Sequence, residues 1–88
     1  MAEKEMERTL KALANRRRLA ILRFIREEKE ANVGEVAEEI RLSFKATSRH
    51  LSILSSADLL EREQRSSQVF YQLPKSLPIA ARHILTLL

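Results

Sequence analysis

Residues Leu42 to Leu54 read L-S-F-K-A-T-S-R-H-L-S-I-L, and the reading of this stretch decides the fold. Thr47, Leu51 and Leu54 recur at i, i+4 and i+7, so in a helix they form one apolar stripe to be buried. Ser43 stands just before it, where a hydroxyl accepts a hydrogen bond from an otherwise unpaired first-turn N–H. Lys45, Ala46, Arg49 and Ser52 then point away from the stripe. That outer face is short, basic and free of acids, the composition a helix needs to enter a DNA groove. The plain alternative, solvated charges on an ordinary surface helix, is weighed against the rest of the chain.

Working outward, Asn32 followed by Glu35 matches a capping box, and Val33, Val36, Ala37 and Ile40 supply one buried side of a short helix. Arg41-Leu42 is the tight turn that joins it to the quoted helix. The segment Glu27 to Ala31 reads as a polar connection. Before it, Asn15 caps a helix running to about residue 28, with Leu19, Ile21, Leu22, Phe24 and Ile25 apolar over more than half a turn. This helix begins with Arg16-Arg17-Arg18, three positive charges at the end the helix dipole disfavours. The cost points to a further role for these arginines, such as contact with a phosphate or a carboxylate. Residues 3–14 form the first helix, with Met6, Leu10, Leu13 and Ala14 on one side.

On the other flank, the quoted helix runs to about Ser56 and ends at Ala57-Asp58. The period then changes from helical to alternating. Leu60, Arg62 and Gln64 alternate with Glu61, Glu63 and Arg65. After Arg65-Ser66-Ser67, Val69, Tyr71 and Leu73 alternate with Gln68, Phe70 and Gln72. Two short strands around a polar turn make a β-hairpin over about 59–73. Pro74 stops the second strand, and Ser76-Leu77-Pro78 opens a last helix over about 77–88. That helix is apolar nearly all round, so one face is expected to pack on the domain and another on a second copy.

The 88 residues form a single domain, 1–88, small enough that tight packing or oligomerisation must support it. With 44% hydrophobic and 32% charged residues the chain is globular rather than disordered. No apolar run approaches the length that spans a membrane, and the start M-A-E-K-E-M-E-R is too charged for a signal peptide. Without cysteine, disulfides and thiolate metal sites are excluded, and the expected location is cytoplasmic. The net charge of +4 is unevenly spread: seven basic residues and no acid lie between Arg8 and Arg26, and six acids against Lys29 alone between Glu27 and Glu39. Such segregation suggests one basic surface and one acidic one.

The element order is α-α-α-α-β-β-α, mainly helical with a small β-hairpin, and it matches a winged helix-turn-helix. The helix-turn-helix covers about 33–56 and the wing about 59–73. The residues resemble the ArsR/SmtB family of repressors. Leu10-Lys11-Ala12-Leu13-Ala14-Asn15 with Arg18-Leu19-Ala20-Ile21-Leu22 is similar to that family's "ALADPTRLRIL" segment. Glu35 to Ile40, Leu42-Ser43, Ser48-Arg49-His50-Leu51, Leu54, Leu59-Leu60 and Val69-Phe70-Tyr71-Gln72-Leu73 follow in the expected order, covering roughly residues 8–73.

The chain also departs from the family. Metal-sensing members carry Cys-x-Cys at the start of the third helix, where Asn32 and Gly34 stand here. Others use acids and histidines on the last helix, which here offers only His83. A zinc site needs about four convergent ligands, so neither a metal nor any other cofactor is expected. The family commonly has glycine at the positions of Arg41 and Asp58, which leaves the geometry of the bend open.

The resemblance implies a sequence-specific regulator, a repressor acting as a homodimer on a near-palindromic double-stranded DNA operator. Its matching positions assign DNA contact to Ser43, Lys45, Ser48, Arg49 and His50; Ala46 shares their outer face, Arg62 and Arg65 of the wing are expected at the backbone or minor groove, and Arg16 and Arg17 on phosphate. Arg49 is the preferred base reader. The dimer is expected to form through helices 3–14 and 77–88, using Met6, Leu10, Leu77, Ile79, Ala80, Ile84, Leu85, Leu87 and Leu88. A small-molecule effector is left open, with no site assigned to it. The rival from another class is a winged-helix protein-interaction module that does not bind DNA, favoured by the acidic 27–39 segment and the acids of 58–63. An enzyme is not expected, since there is no glycine-rich phosphate loop and no histidine–carboxylate–nucleophile set.

Overall fold

The computed structural model describes residues 2–88. Its elements are α1 (Glu3–Leu13), α2 (Arg16–Glu28), β1 (Glu30–Asn32), α3 (Val33–Ile40), α4 (Phe44–Ser56), β2 (Glu61–Arg65), β3 (Gln68–Gln72) and α5 (Ile79–Leu85). The helices begin where the expected caps stand. Asn15 accepts from the Arg18 N–H at 3.1 Å, and Ser43 from the Ala46 N–H at 3.1 Å. Asn32 and Glu35 close a reciprocal capping box at 2.8 Å in each direction.

The ends of α3 and α4 are built alike. Arg41 (φ 54°) and Asp58 (φ 62°) both adopt the left-handed conformation. The Leu42 N–H donates to Ala37 O at 3.1 Å and the Arg41 N–H to Glu38 O at 3.4 Å; the Leu59 N–H donates to Leu54 O at 2.9 Å and the Asp58 N–H to Ser55 O at 3.1 Å. Each set is a Schellman motif, completed after α4 by burial of both Leu54 and Leu59. The glycine-type bend is therefore kept without glycine.

β1 corrects the expectation of a plain polar connection. Ala31, almost fully buried, pairs with Tyr71, while Glu30 faces Gln72 and Asn32 faces Phe70. The sheet is thus three-stranded and antiparallel, in the order β1-β3-β2. Three residues with no β-branched side chain carry no strand signal of their own; pairing with β3 makes the strand.

The core is centred on Ile21, Leu22 and Ile25 of α2, packed with Val36, Leu51, Leu54, Leu59 and Tyr71. α5 is shorter than the expected 77–88 helix, because Leu77 and Pro78 precede it and Thr86 and Leu87 leave it as a turn. Leu85, expected at a dimer surface, is only 5% exposed and lies with Ala81 in the core of its own chain. Leu77, Ile84 and Leu88 also pack against that core, half-buried. Exposed apolar side chains remain at Met6 and Leu10 on α1, at Phe44 and Ile53 on α4, and at Ile79 and Leu87 in the chain's last segment.

Candidate nucleic-acid interface

The outer face of α4 is defined by what the other face buries. Thr47, Leu51 and Leu54 are fully buried, so Lys45, Arg49, Ser52 and Ile53 are turned to solvent and Ala46 and Ser48 are half-buried. Ser43 is exposed at the cap. Among the described residues, no carboxylate lies within ion-pair distance of Lys45, Arg49, Arg62, Arg16 or Arg17. These cations are free to meet an external anion.

Two arginines hold α4 in place. Arg8 of α1 donates from Nη2 to Ser56 O at 2.6 Å and to Asp58 Oδ2 at 3.1 Å, so a cation sits on the negative end of the α4 dipole. The ion pair is exposed and contributes little by itself. Arg18 donates from Nε to Ala12 O at 2.6 Å and from Nη2 to Lys11 O at 3.3 Å, and its Nη1 lies 3.2 Å from His50 Nδ1. Its guanidinium thus answers two carbonyls at the C-terminal end of α1 and ties them to the middle of α4. The sequence pattern at Arg16-Arg17-Arg18 suggested a phosphate or carboxylate partner; for Arg18 the partners are carbonyls and an imidazole. Sequence reasoning missed Arg8 and Arg18 as supports, although both carry the charge such supports need.

His50, expected among the DNA contacts, is half-buried. Arginine has no acceptor, so His50 Nδ1 accepts and its proton resides on Nε2. Burial, then the charges of Arg18, Arg17 and Arg49, hold its pKa below the ordinary 6.5, which keeps the ring neutral.

The wing separates its two arginines. Arg62 is exposed on β2. Arg65, also expected to reach DNA, is folded back: Nη1 and Nη2 each lie 2.7 Å from a carboxylate oxygen of Glu30, and Nη2 lies 2.7 Å from Glu63 Oε1. Its guanidinium also sits 4.5 Å from the centroid of the Phe70 ring. The pairing lowers the Glu30 pKa and raises that of Arg65. Arg65 therefore joins the wing tip to β1, a link invisible before β1 was seen.

Arg16 and Arg17 line a groove on α2 with Arg23, Glu27 and Glu39. Among the described residues no group of three or more His, Cys, Asp or Glu side chains converges to hold a metal ion, and no helix is long and apolar enough to cross a membrane.

Comparison with known proteins agrees with this geometry. Residues 15–62, from the cap of α2 to the middle of β2, match the model of the arsR family of bacterial regulatory proteins. The transcriptional activator HlyU of Vibrio cholerae is 41% identical over 64 residues, 73% of this chain. The chain spans 58% of the length of that relative. The structure of reduced HlyU from Vibrio cholerae superimposes with a TM-score of 0.80 at 32% identity, covering 96% of this chain and 84% of the other. A homodimeric winged helix-turn-helix DNA-binding domain from Mycobacterium bovis, a possible ArsR-family regulator, gives 0.79 at 26% identity over 96% of this chain and 74% of the other. These relatives are regulators, not enzymes. With its winged helix-turn-helix architecture, this chain belongs to the ArsR family of bacterial regulatory proteins.

Proposed function

We propose that the protein is a DNA-binding transcriptional regulator that acts in the cytoplasm as a homodimer on a near-palindromic operator. The observation that carries this reading is the acid-free face of α4, with unpaired Lys45 and Arg49, fixed to α1 at both its middle and its end. α4 enters the major groove. Arg49 reads a base edge, since a guanidinium can bond a guanine in two places, and Lys45 is second. Ser43, Ala46 and Ser48 line the same approach. Arg62 contacts the backbone or minor groove, whereas Arg65, already compensated by Glu30 and Glu63, is left a supporting role. Arg16 and Arg17 reach phosphate. His50 acts through Arg18 by orienting α4 rather than by contacting DNA.

Selection of bound duplexes from a random library tests the reading, followed by gel-shift titration of the recovered site. Arg49→Ala should cost about 1–3 kcal/mol of binding, and affinity should fall steeply with salt as phosphates are neutralised. Enrichment of no sequence, with no duplex binding at low salt, would instead favour a protein-interaction module. The exposed Glu61 and Glu63 on β2 are the feature that suits that second reading. The direction of regulation we propose is repression, by occupation of a promoter. A reporter carrying the selected site should lose output when the protein is expressed; increased output would align it with the activator HlyU.

A further inference from the structure

Phe44 is the first residue of α4. It is 63% exposed, whereas Phe24 and Phe70 are half-buried and Tyr71 is buried. Exposing so large a ring forgoes the burial that aromatic side chains ordinarily gain. Its position on the helix is specific. Phe44, Ser48 and Ser52 stand at i, i+4 and i+8, so the ring lies at the edge of the outer face, between the buried stripe of Thr47 and Leu51 and the cations Lys45 and Arg49. In helix-turn-helix docking it is the N-terminal residues of the recognition helix that meet base edges.

The surroundings of the ring narrow what it can meet. It borders a cleft of about 570 Å³ between α3 and the wing tip, whose rim includes Glu35, Glu38, Ser67 and Val69. Two carboxylates on that rim disfavour a phosphate, so an uncharged group is the better occupant. In the major groove the one apolar group on a base edge is the C5-methyl of thymine. From this placement we infer that Phe44 reads thymine methyls at the end of each half-site contacted by the N-terminus of α4. The inference rests on the DNA-binding reading above and names what that face selects. Arg49 then reads guanine in the middle of the helix while Phe44 selects A·T pairs at its tip.

The probe is the duplex recovered by selection with the full chain, in which each half-site thymine is replaced in turn by deoxyuridine, removing only the methyl. At one or two half-site positions the replacement should weaken wild-type binding about fourfold per methyl. Phe44→Ala should bind the thymine and deoxyuridine duplexes equally, near the affinity of wild type for the deoxyuridine duplex. Because the ring is exposed, this variant should keep the wild-type circular dichroism spectrum. Indifference of the wild type to every deoxyuridine, or unchanged methyl sensitivity in Phe44→Ala, overturns the inference and leaves DNA binding standing. A wild-type chain that binds no selected duplex removes the DNA reading itself, and the inference with it.

Discussion

His50 shows how one side chain can hold a helix in place through an arginine from another element. The ring accepts from Arg18, which also grips two carbonyls at the end of α1. Its pKa lies below the ordinary 6.5, chiefly because burial penalises the charged form. The unfolded chain therefore binds a proton that the folded chain refuses, in the window from 6.5 down to the depressed value. There the unfolded state carries more protons, so stability falls as pH drops through that window and is fully present above it. His50→Gln can still accept from Arg18 but does not titrate. Urea titrations at pH 7.5 and 5.5 should show a smaller loss of stability on acidification for the variant than for the wild type. An equal loss would place the acid sensitivity elsewhere. Arg65 and Phe44 teach the same lesson from opposite directions: a cation expected on DNA is taken up by Glu30, and an apolar ring at the start of α4 is left facing solvent.

At the scale of elements, the bend between α3 and α4 sets the angle at which the recognition helix is presented. Arg41 holds that bend with a left-handed backbone, and its side chain is exposed. An L-residue in this conformation costs roughly 1–2 kcal/mol, and glycine returns about 0.4–1 kcal/mol of that through greater freedom of the unfolded chain. Arg41→Gly should therefore stabilise the protein by about 0.5–1 kcal/mol, read as a higher urea midpoint at unchanged slope. A lower midpoint would mean that the Arg41 side chain contributes more than its exposed position suggests. The wing is tied down by a different device. β1 adds a third strand, and the Arg65 bridge from Glu30 and Glu63 over Phe70 braces its tip.

For the whole molecule, the longest extent is 37 Å, and it carries one copy of α4, the helix proposed to enter the groove. Two half-sites about one helical turn apart, 34–36 Å, need two such helices, so operator binding on this plan requires a second copy. The apolar residues available to hold it are Met6 and Leu10 on α1 and Ile79 and Leu87 in the last segment, Leu87 being 80% exposed. Leu85 is excluded because its own chain already buries it. A carboxylate at Leu10 would sit unpaired against the partner, a cost of about 3 kcal/mol or more. Leu10→Glu should thus raise the dimer dissociation constant roughly a hundredfold or more, measured by sedimentation equilibrium, with operator affinity falling in step. A wild-type chain that sediments as a monomer at tens of micromolar would end this reading.

What the chain determined by itself was local. Ser43, Asn15 and the Asn32–Glu35 pair cap helices wherever they stand. The spacing of Thr47, Leu51 and Leu54 names a buried face without knowledge of its neighbours, and the alternation around Val69 and Tyr71 marks a strand. Elements and the acid-free face of α4 were therefore legible, and with them the family. The tertiary structure alone decided which long side chains are free. β1 exists because Tyr71 pairs with Ala31 from far along the chain, and only then does Glu30 come within reach of Arg65. Arg18 finds carbonyls, Leu85 goes inward and Phe44 stays out because packing, not spacing, chooses their neighbours. Periodicity fixes the side of a helix a residue occupies, whereas its partner depends on elements that sequence distance does not reveal.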